Sequence, residues 1–289
     1  MKIMLLGANG MAGHMIAAYL RRHGGYEVIA TARDPSGESS GPSPAAAEGT
    51  VRRLDVRRLP EVAALVREVK PDVIVNAVGV LNRQAEDWPL DAYIVNGMLP
   101  HWLAYLCERE GSRLIHISSD CVFLGDRGDY REDDPPDGIT VYARSKALGE
   151  IRDPRHLTIR TSIIGPEIRP RGIGLMKWFL DSRGCVRGFV NVKWNGVTTL
   201  ELAKAVHWAI GHPEAGGLVH LTAPEPINKH DLLLLMQRVF DKNDVVVAPD
   251  PEPAIDRTLA VTRGGFGHRP PDYRVMLEEL RDWMSGGWA

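Results

Sequence analysis

The chain has 289 residues, of which 44% are apolar, so it can bury a substantial core in one large domain or two closely joined ones. Its 35 basic and 37 acidic side chains give a formal net charge of −2, which excludes binding modes that need a broad basic surface, as for nucleic acid or an anionic membrane. The 3 cysteines lack metal-ligand spacing, and no apolar run approaches the roughly 20 residues of a membrane span. With a strand beginning directly at the amino terminus, we expect a soluble cytoplasmic protein with reduced thiols.

A glycine-rich segment directly follows the first predicted strand. The apolar strand Lys2 to Leu6 runs into GANGMAG, and the helix Met11 to Arg22 comes next. Glycines here let the backbone turn tightly and approach a pyrophosphate, whose charge is stabilised at the helix amino terminus. A glycine-rich turn without a ligand is the alternative. The residues predicted to bind a dinucleotide are Gly7, Asn9, Gly10, Met11 and Gly13.

The end of the second strand bears on the choice between NADPH and NADH. Strand Glu27 to Thr31 is followed by Ala32, Arg33 and Asp34. NAD-binding proteins place a carboxylate here for the ribose 2′-hydroxyl, whereas an arginine accommodates a 2′-phosphate. Thr31 and Arg33 therefore predict NADPH. NADH is the alternative, with Asp34 as the acidic partner if the strand ends one residue later, and Arg33 is then a solvated surface arginine.

The next strands add residues that face the same ligand. The segment Pro35 to Gly49 is rich in Pro, Ser and Gly, which predicts a mobile surface loop near the adenosine end of the cofactor. Asp55 follows the third strand, Val51 to Leu54, where it contacts adenine or caps the helix Leu59 to Val69. The fourth strand, Val73 to Ala77, ends in the small residues NAVG, which let a ligand lie close. The cofactor contacts predicted here are Asp55, Val56, Asn76, Ala77, Val78 and Gly79.

Two segments place polar side chains next to apolar ones: the end of the fifth strand, and the helix that precedes this strand in the chain. The apolar run Leu114 to Ile117 ends abruptly in SSD, as expected for a buried parallel strand that delivers Ser119 and Asp120 at its carboxyl end. The stretch Trp88 to Asn96 leads into a helix that runs to about Glu110, and Asn96 near the start of this helix is a polar residue on an otherwise apolar face. A hydrogen bond to the backbone is the usual role of a buried asparagine.

Tyr142 and Lys146 are four residues apart at the start of the helical sequence YARSKALGE, so the phenol and the ammonium project from one helix face. A nearby cation favours the phenolate and lowers the pKa of a tyrosine from about 10 toward neutrality. Tyr142 is then a candidate to give a proton to a carbonyl oxygen, while Ser119 holds the same oxygen by a hydrogen bond. A chance Tyr–Lys pair is the alternative, unless the chain also builds a hydride donor site.

The alternation of strands and helices predicts an α/β fold, a doubly wound parallel Rossmann sheet with a smaller C-terminal substrate domain. The sixth strand is His156 to Thr161, and the regular alternation ends beyond Pro166. We assign residues 1–165 to the NAD(P)-binding domain, joined by the helix near 197–211, and residues 166–289 mainly to a substrate-binding domain. The other elements predicted are helices Gly172 to Leu180, Lys229 to Phe240 and Tyr273 to Met284, and strands Cys185 to Val192, Leu218 to Thr222 and Val245 to Val247.

Several segments carry a family resemblance. These are MKIMLLGANGMAGH, PDVIVNAVG, HISSDCVF, DYREDD and YARSKALGE, in this order and spacing. They resemble the extended short-chain dehydrogenase/reductases, and more narrowly the dTDP-4-dehydrorhamnose reductase group, in which Ser-Thr-Asp, VF-x-G, Tyr-x-x-x-Lys and Gly-Glu recur. The match runs from residue 1 to about 165 and continues loosely through RTSIIG and GGLVHLTAPEPINKHDL.

The resemblance implies an NADPH-dependent reductase of the 4-keto group of a nucleoside-diphosphate 6-deoxy sugar, for deoxysugar and cell-surface polysaccharide biosynthesis. It implies that Tyr142 protonates the oxygen, that Lys146 holds the nicotinamide ribose and lowers the tyrosine pKa, and that Ser119 fixes the carbonyl. Asn96 matches the group's helix asparagine, which supports a proton relay. The substrate contacts implied are Ser119, Asp120, Tyr142, Ile163 and Arg257, with Arg257 either a diphosphate ligand or a surface partner of Asp256.

The sequence departs from the group in two places and leaves two other functions open. The group's threonine is a serine here, which keeps the hydroxyl, and Ile163 stands where its members often have an aromatic residue, so the sequence does not choose among dTDP, UDP and GDP. One alternative is a nucleotide-sugar epimerase or dehydratase, since Asp120 lies beside Ser119. The other is a non-catalytic cofactor-binding regulatory subunit, against which the intact Ser119, Tyr142 and Lys146 argue. We expect no metal, nucleic acid or membrane partner, and a homodimer is left open.

Overall fold

The computed structural model describes residues 1–34, 51–168, 172 and 174–286. The loop predicted for residues 35–49 lies outside the described residues. Seven parallel strands form the main sheet, in the order β11-β6-β5-β4-β1-β2-β3. They are β1 (Lys2–Leu6), β2 (Glu27–Ala32), β3 (Val51–Arg53), β4 (Val73–Asn76), β5 (Arg113–Ser119), β6 (Leu157–Thr161) and β11 (Gly217–His220).

The strand order reverses beside β1. Strand β1 pairs with β2 on one side and β4 on the other, which places Leu6 in register with Thr31 and Asn76. Where the strand order reverses, the helices that follow the two neighbouring strands pack on opposite faces of the sheet. A crevice therefore opens between them, beyond the carboxyl ends of the strands. The predicted doubly wound fold is confirmed, and the first six predicted strands end within two residues of the observed ones.

The two faces of the sheet bury two apolar clusters, as alternation along a strand requires. Ile3 and Leu5 belong to one cluster, whereas Met4 and Leu6 belong to the other, because successive side chains of a strand point to opposite faces. The described helices that cover the sheet or flank the crevice are Met11–His23, Leu59–Val69, Asn82–Asp87, Pro89–Ala92, Leu99–Glu110, Val141–Leu148, Leu175–Asp181, Thr199–Gly211, Lys229–Val239 and Tyr273–Ser285.

The turn between β1 and the first helix depends on two glycines. Gly7 has a φ of 94°, in the left-handed region that glycine adopts without strain. A Cβ on Gly13 would lie 2.1 Å from the Gly7 carbonyl oxygen, so only glycine allows the helix to approach the strand this closely. Gly13 therefore fixes the position of the helix start.

The segment that leads into the helix predicted from near Asn96 to about Glu110 is itself helical, with an irregular turn. Pro89–Ala92 and Leu99–Glu110 are α-helical, and the intervening Tyr93–Met98 has the wider π-helical turn. Pro100 has no N–H to donate to the Asn96 carbonyl, which an unbroken α-helix would require. The same carbonyl is crowded by Gly149, where a Cβ would lie 1.9 Å from it.

The second half of the chain adds short strands, most of which the sequence did not predict, while the predicted strand Val245 to Val247 is present and extends to Asp250. The predicted strand Cys185 to Val192 is in fact two strands, because the chain turns between them; the short strands here lack an apolar alternation long enough to be recognised. They are β7 (Ile163–Ile164), β8 (Gly184–Phe189), β9 (Val192–Trp194), β10 (Val197–Thr198), β12 (Ile227–Asn228), β13 (Val245–Asp250) and β14 (Ile255–Asp256).

These strands pair in three small sheets, while other parts of the second half join the main sheet. β8 pairs with β13, β9 lies between β12 and β14, and β7 pairs with β10. The helix Thr199–Gly211 lies against Met11–His23, and β11 is an edge strand of the main sheet. The division at about residue 165 stays a prediction. Among the described residues, no helix is long and apolar enough to cross a bilayer.

Candidate active site

Two adjoining cavities lie beyond the carboxyl ends of the strands. The larger cavity, of about 540 Å³, lies beside the ends of β2 and β3, and the smaller cavity, of about 330 Å³, lies beside the end of β5. Gly7, Asn9, Val78 and Gly79 line both, so the glycine-rich turn and the end of β4 form the boundary between them. This arrangement can hold an elongated ligand that extends from one cavity into the other.

The larger cavity brings together the residues predicted to choose the cofactor. Thr31, Arg33, Asp55 and Val56 all line it, as predicted. Strand β2 ends at Ala32, one residue later than predicted, which is the condition stated for NADH with Asp34 as the acidic partner, and Asp34 lines the cavity as well. The Asn9 side-chain amide donates to the Asp34 carbonyl oxygen at 2.8 Å, which ties the strand end to the glycine-rich turn.

Arg57 is a contributor to the larger cavity that the sequence reading missed. Its guanidinium donates to Asp55 at 2.6 Å and to Asp91 at 2.7 Å. Its hydrogen bonds hold the pKa of the Asp55 carboxyl below its usual value, against the effect of burial. Asp55 is thus an ionised acceptor fixed in place, and the helix that carries Asp91 is fastened to it. The distance in sequence between Arg57 and Asp91 explains why no local pattern indicated this contact.

The smaller cavity is lined by the residues predicted to act on a carbonyl group. Ser119, Asp120, Tyr142, Lys146 and Ile163 all border it, together with Met11, Ala77 and Gly10 from the glycine-rich turn and the β4 end. Ser119 donates its hydroxyl to the Asp120 carboxylate at 3.0 Å and accepts the Cys121 N–H at 3.1 Å. The Thr140 side chain caps the helix Val141–Leu148, which begins where Tyr142 can face the cavity.

The protonation states at this site differ from the expectation in one respect. Burial raises the pKa of Tyr142, and Lys146 is not among the groups that lower it; only a hydrogen bond with Ser119 does. The prediction that Lys146 lowers the tyrosine pKa is therefore wrong for the protein alone. Lys146 itself donates to the Ile117 carbonyl oxygen at 2.6 Å, and burial lowers its pKa to about 8 despite the opposing charge of Glu150. Desolvation is therefore the largest influence on the pKa of each group.

Asn96 is fully buried and lies outside both cavities. Its side-chain oxygen accepts the Val80 N–H at 2.9 Å, and its amide donates to the Val80 carbonyl at 2.9 Å and to the Ser145 hydroxyl at 3.0 Å. Ser145 in turn donates to the Tyr142 carbonyl at 3.0 Å. The side chain therefore joins the loop after β4 to the helix of Tyr142, and this support comes from the backbone hydrogen bonding expected of a buried asparagine.

Three other predicted site residues do not border either cavity. Gly13 packs against Gly7, and Asn76 is fully buried with its amide 3.1 Å from His116 Nδ1, so Asn76 supports Val78 instead of facing a ligand. Arg257 donates to the Phe123 carbonyl at 3.0 Å. It does not pair with Asp256, whose carboxylate binds Lys193 at 3.0 Å.

A buried ion pair beneath the end of β5 was also missed. Arg160 donates to both oxygens of Glu150, at 2.8 and 2.6 Å, and Ser118 donates to the same carboxylate at 2.8 Å. His220 Nε2 lies 2.9 Å from the guanidinium of Arg160. Sequence gave one signal for this network, since an arginine in the middle of the apolar sixth strand requires a buried partner.

A model of a known protein family matches most of the chain. The family is described as RmlD substrate binding domain, and the match covers residues 1–254. The chain is also similar to the dTDP-4-dehydrorhamnose reductase of Aggregatibacter actinomycetemcomitans, with 26% identity over an alignment of 313 positions, gaps included, that covers 98% of this chain and 99% of the relative.

Solved structures show how widely the fold is used. The dTDP-4-dehydrorhamnose reductase from Bacillus anthracis in complex with NADP is similar, with a TM-score of 0.77, 19% identity and coverage of 98% of this chain and 99% of that one. The UDP-glucose 4-epimerase from Thermotoga maritima, with UDP-glucose, has a TM-score of 0.79, 14% identity and coverage of 99% of each chain. At these identities the likeness shows the fold alone, so the choice of reaction depends on the site.

Asn96→Ala is predicted to lower the free energy of unfolding by ~1–3 kcal/mol, because the Val80 N–H and C=O both lose their partner. Urea denaturation measures the change, and amide exchange at Val80 should become faster. The exposed Asn191, whose side chain makes a single bond to the Pro251 carbonyl at 2.9 Å, provides the control Asn191→Ala. Unchanged exchange at Val80 in Asn96→Ala would contradict the assigned contact.

Proposed function

Since the family model spans residues 1–254, the chain belongs to the RmlD substrate binding domain family, and we propose that it reduces the 4-keto group of a nucleoside-diphosphate 6-deoxy sugar with NADPH. The family resemblance stated from the sequence is thereby confirmed. The reaction belongs to deoxysugar and surface-polysaccharide biosynthesis. Relatives named dTDP-4-dehydrorhamnose reductase support this substrate class.

One observation carries the proposal. Ser119, Tyr142 and Lys146 line a cavity that shares Gly7 and Gly10 with a glycine-rich turn suited to a dinucleotide. An oxygen-binding hydroxyl, a proton donor and a cation therefore lie where a hydride donor would reach. This combination is more specific than a Tyr–Lys pair alone, for which chance is the better explanation.

The residues present fit a dinucleotide. The helix Met11–His23 has Gly10 at its amino-terminal cap and no side-chain cap hydrogen bond, so backbone N–H groups at its start can face a pyrophosphate. Thr31, Arg33, Asp55 and the glycine-rich turn would hold the adenosine end in the larger cavity. When bound, NADPH supplies the hydride. The Bacillus anthracis relative, solved in complex with NADP, supports NADPH as the form used.

The protonation states suit reduction of a ketone. The raised pKa of Tyr142 keeps the phenol protonated at neutral pH, which is the state required to give a proton to the developing alkoxide. Ser119 holds that oxygen by a hydrogen bond while its charge grows. Lys146, protonated below a pH of about 8, then offsets the negative charge left on Tyr142, one helical turn away. Asn96 and Ser145 keep the helix of Tyr142 in register with the loop after β4.

Asp120 is the feature that favours the alternative reaction. A carboxylate beside the catalytic hydroxyl is the group that a dehydratase needs, and burial raises the pKa of Asp120. An epimerase or dehydratase would convert substrate without net consumption of NADPH, which separates it from a reductase.

We further propose that residues after about 165 form the larger part of the substrate-binding domain, and that the protein acts in the cytoplasm; a homodimer stays a prediction.

Tyr142→Phe is predicted to lower kcat by ~10²–10⁴-fold while NADPH affinity stays within about twofold, because only the proton transfer is lost. Lys146→Met should lower kcat and also weaken NADPH binding, since the ammonium is expected to hold the cofactor and to stabilise the charge on Tyr142. Stopped-flow turnover and fluorescence titration with NADPH measure the two quantities. Tyr105→Phe, at an exposed position, is the control. Turnover of Tyr142→Phe within twofold of wild type eliminates the assigned proton donor.

Wild type is predicted to prefer NADPH over NADH in kcat/KM by roughly 30- to 1,000-fold, from contacts of Thr31 and Arg33 with the 2′-phosphate. Arg33→Ala should reduce this preference by at least about tenfold. Asp34→Asn should increase it, because a carboxylate at this cavity repels a 2′-phosphate. Arg53→Ala, an exposed arginine at the end of β3, is the control. A preference for NADH would show that Asp34 makes the choice, and an NADPH preference that survives Arg33→Ala unchanged would show that Arg33 does not.

A further inference from the structure

Lys229 is a cation held in place without an acceptor for its hydrogen bonds. It begins the helix Lys229–Val239, and its ammonium lies over the Trp194 ring at 4.4 Å from the centroid. This cation–π contact orients the group but satisfies none of its three N–H donors. Within the part of the chain that the structure describes, the ammonium makes no hydrogen bond or ion pair. Lys229 is half-buried, and its ammonium is partly withdrawn from water but open to an anionic ligand.

The charge of Lys229 acts on the end of the smaller cavity. The charges of Asp120 and Cys121 act on it, and these two residues line that cavity beside Ser119 and Tyr142, whereas Lys229 itself borders neither cavity. Burial lowers the pKa of Lys229 to about 8, and the Asp120 carboxylate opposes this effect. No direct ion pair joins the two groups, so their charges interact across a gap. An anionic group of a ligand can enter this region without displacing a salt bridge.

Arg257 brings a second positive charge to the same place. It acts on Asp120 and Cys121, as Lys229 does, and its Nε is anchored on the Phe123 carbonyl at 3.0 Å. Two cations therefore act on the Asp120 carboxylate, in a chain whose formal net charge is −2. A protein of this overall charge must bind an anionic substrate through local cations.

We propose that Lys229, with Arg257, binds the diphosphate of the nucleotide substrate. The inference deepens the proposed function and rests on it for the substrate class. An ammonium is a compact charge with three donors, so it can bind phosphate oxygens from several directions, whereas Arg257 offers a planar fork. The Trp194 ring holds the ammonium in place, and Asp120, whose charge acts on the ammonium, lines the cavity that carries Ser119 and Tyr142. The diphosphate then lies on the side of the sugar away from the cofactor.

The test is calorimetric titration of the NADP⁺-bound protein with dTDP, UDP and GDP, which requires no turnover. For whichever nucleotide wild type binds most tightly, Lys229→Met should raise Kd at least about tenfold, and Arg257→Ala should do the same. Lys229→Arg should stay within about threefold because it keeps the charge. Lys193→Met removes a lysine from the same half of the chain whose partner is Asp256 at 3.0 Å, and its Kd should match wild type. Affinity for NADP⁺ should not change in any variant.

Each outcome decides the matter. If Lys229→Met binds the nucleotide as tightly as wild type, Lys229 is structural and the inference fails, while ketone reduction by the same variant keeps the proposed function. If wild type binds none of the three nucleotides, the substrate class fails together with the inference. If Lys229→Met does not fold by circular dichroism, the pH dependence of wild type replaces it.

The pH dependence follows from the groups around Lys229. Its pKa of about 8 means that the ammonium loses its proton as the pH rises through this value, so wild-type Kd for the nucleotide should increase there. Burial raises the pKa of Cys121 to about 12, so the thiol does not titrate in this window. Lys229→Arg, which keeps Lys146 and its pKa of about 8, should show a flat profile. A flat wild-type profile overturns the proposal.

Discussion

The parallel pairing of β1 with both β2 and β4 is the constraint on which the rest of the site depends. It aligns Leu6 with Thr31 and Asn76, so the ends of three strands meet at one edge of the sheet. The glycine-rich turn can then lie over that edge, because Gly13 allows the helix to approach Gly7. Both cavities are consequences of this geometry, since the residues they share belong to the turn and to the end of β4.

Burial sets the chemistry at the other end of the crevice. Tyr142 stays a neutral acid because it is desolvated, and Lys146 stays cationic at neutral pH because Glu150 partly offsets the same effect. Glu150 in turn is held by the buried guanidinium of Arg160. The second half of the chain contributes the opposing charges, through Lys229 and Arg257 on Asp120. The site thus consists of polar groups in a region of low dielectric constant, where the protonation state of each group is set by burial and by a few neighbouring charges.

The sequence was sufficient for the features that local pattern determines. The parallel strands β1 to β6, the glycine-rich turn and the grouping of Ser119, Tyr142 and Lys146 follow from apolar runs and their polar ends. It failed where contacts between distant segments decide. Asn76 faces His116 and not a ligand, and Arg257 binds the Phe123 carbonyl and not Asp256, in each case across a separation that periodicity does not describe.

The same limit explains the other differences. At the π-helical turn Tyr93–Met98, Gly149 from far along the chain packs against the Asn96 carbonyl, a contact that no local pattern shows. Most of the short strands after β6 are too brief for a period of two to be recognised. The raised pKa of Tyr142 required knowledge of burial, whereas the sequence showed only the nearby lysine. The fold class can be predicted because it depends on repeated local patterns in the sequence. The protonation states of site residues, and the contacts that hold them in place, depend on packing between distant segments.

Transfer of deuterium from 4-deuterated NADPH to 4-keto dTDP-, UDP- and GDP-sugars tests the central claim most directly, with the products identified by mass and NMR spectroscopy. The proposed reaction predicts one deuterium at C4 of the sugar, one NADPH oxidised for each alcohol formed, and loss of both in Tyr142→Phe. Conversion to an isomer or to a dehydrated sugar with no net oxidation of NADPH would contradict it.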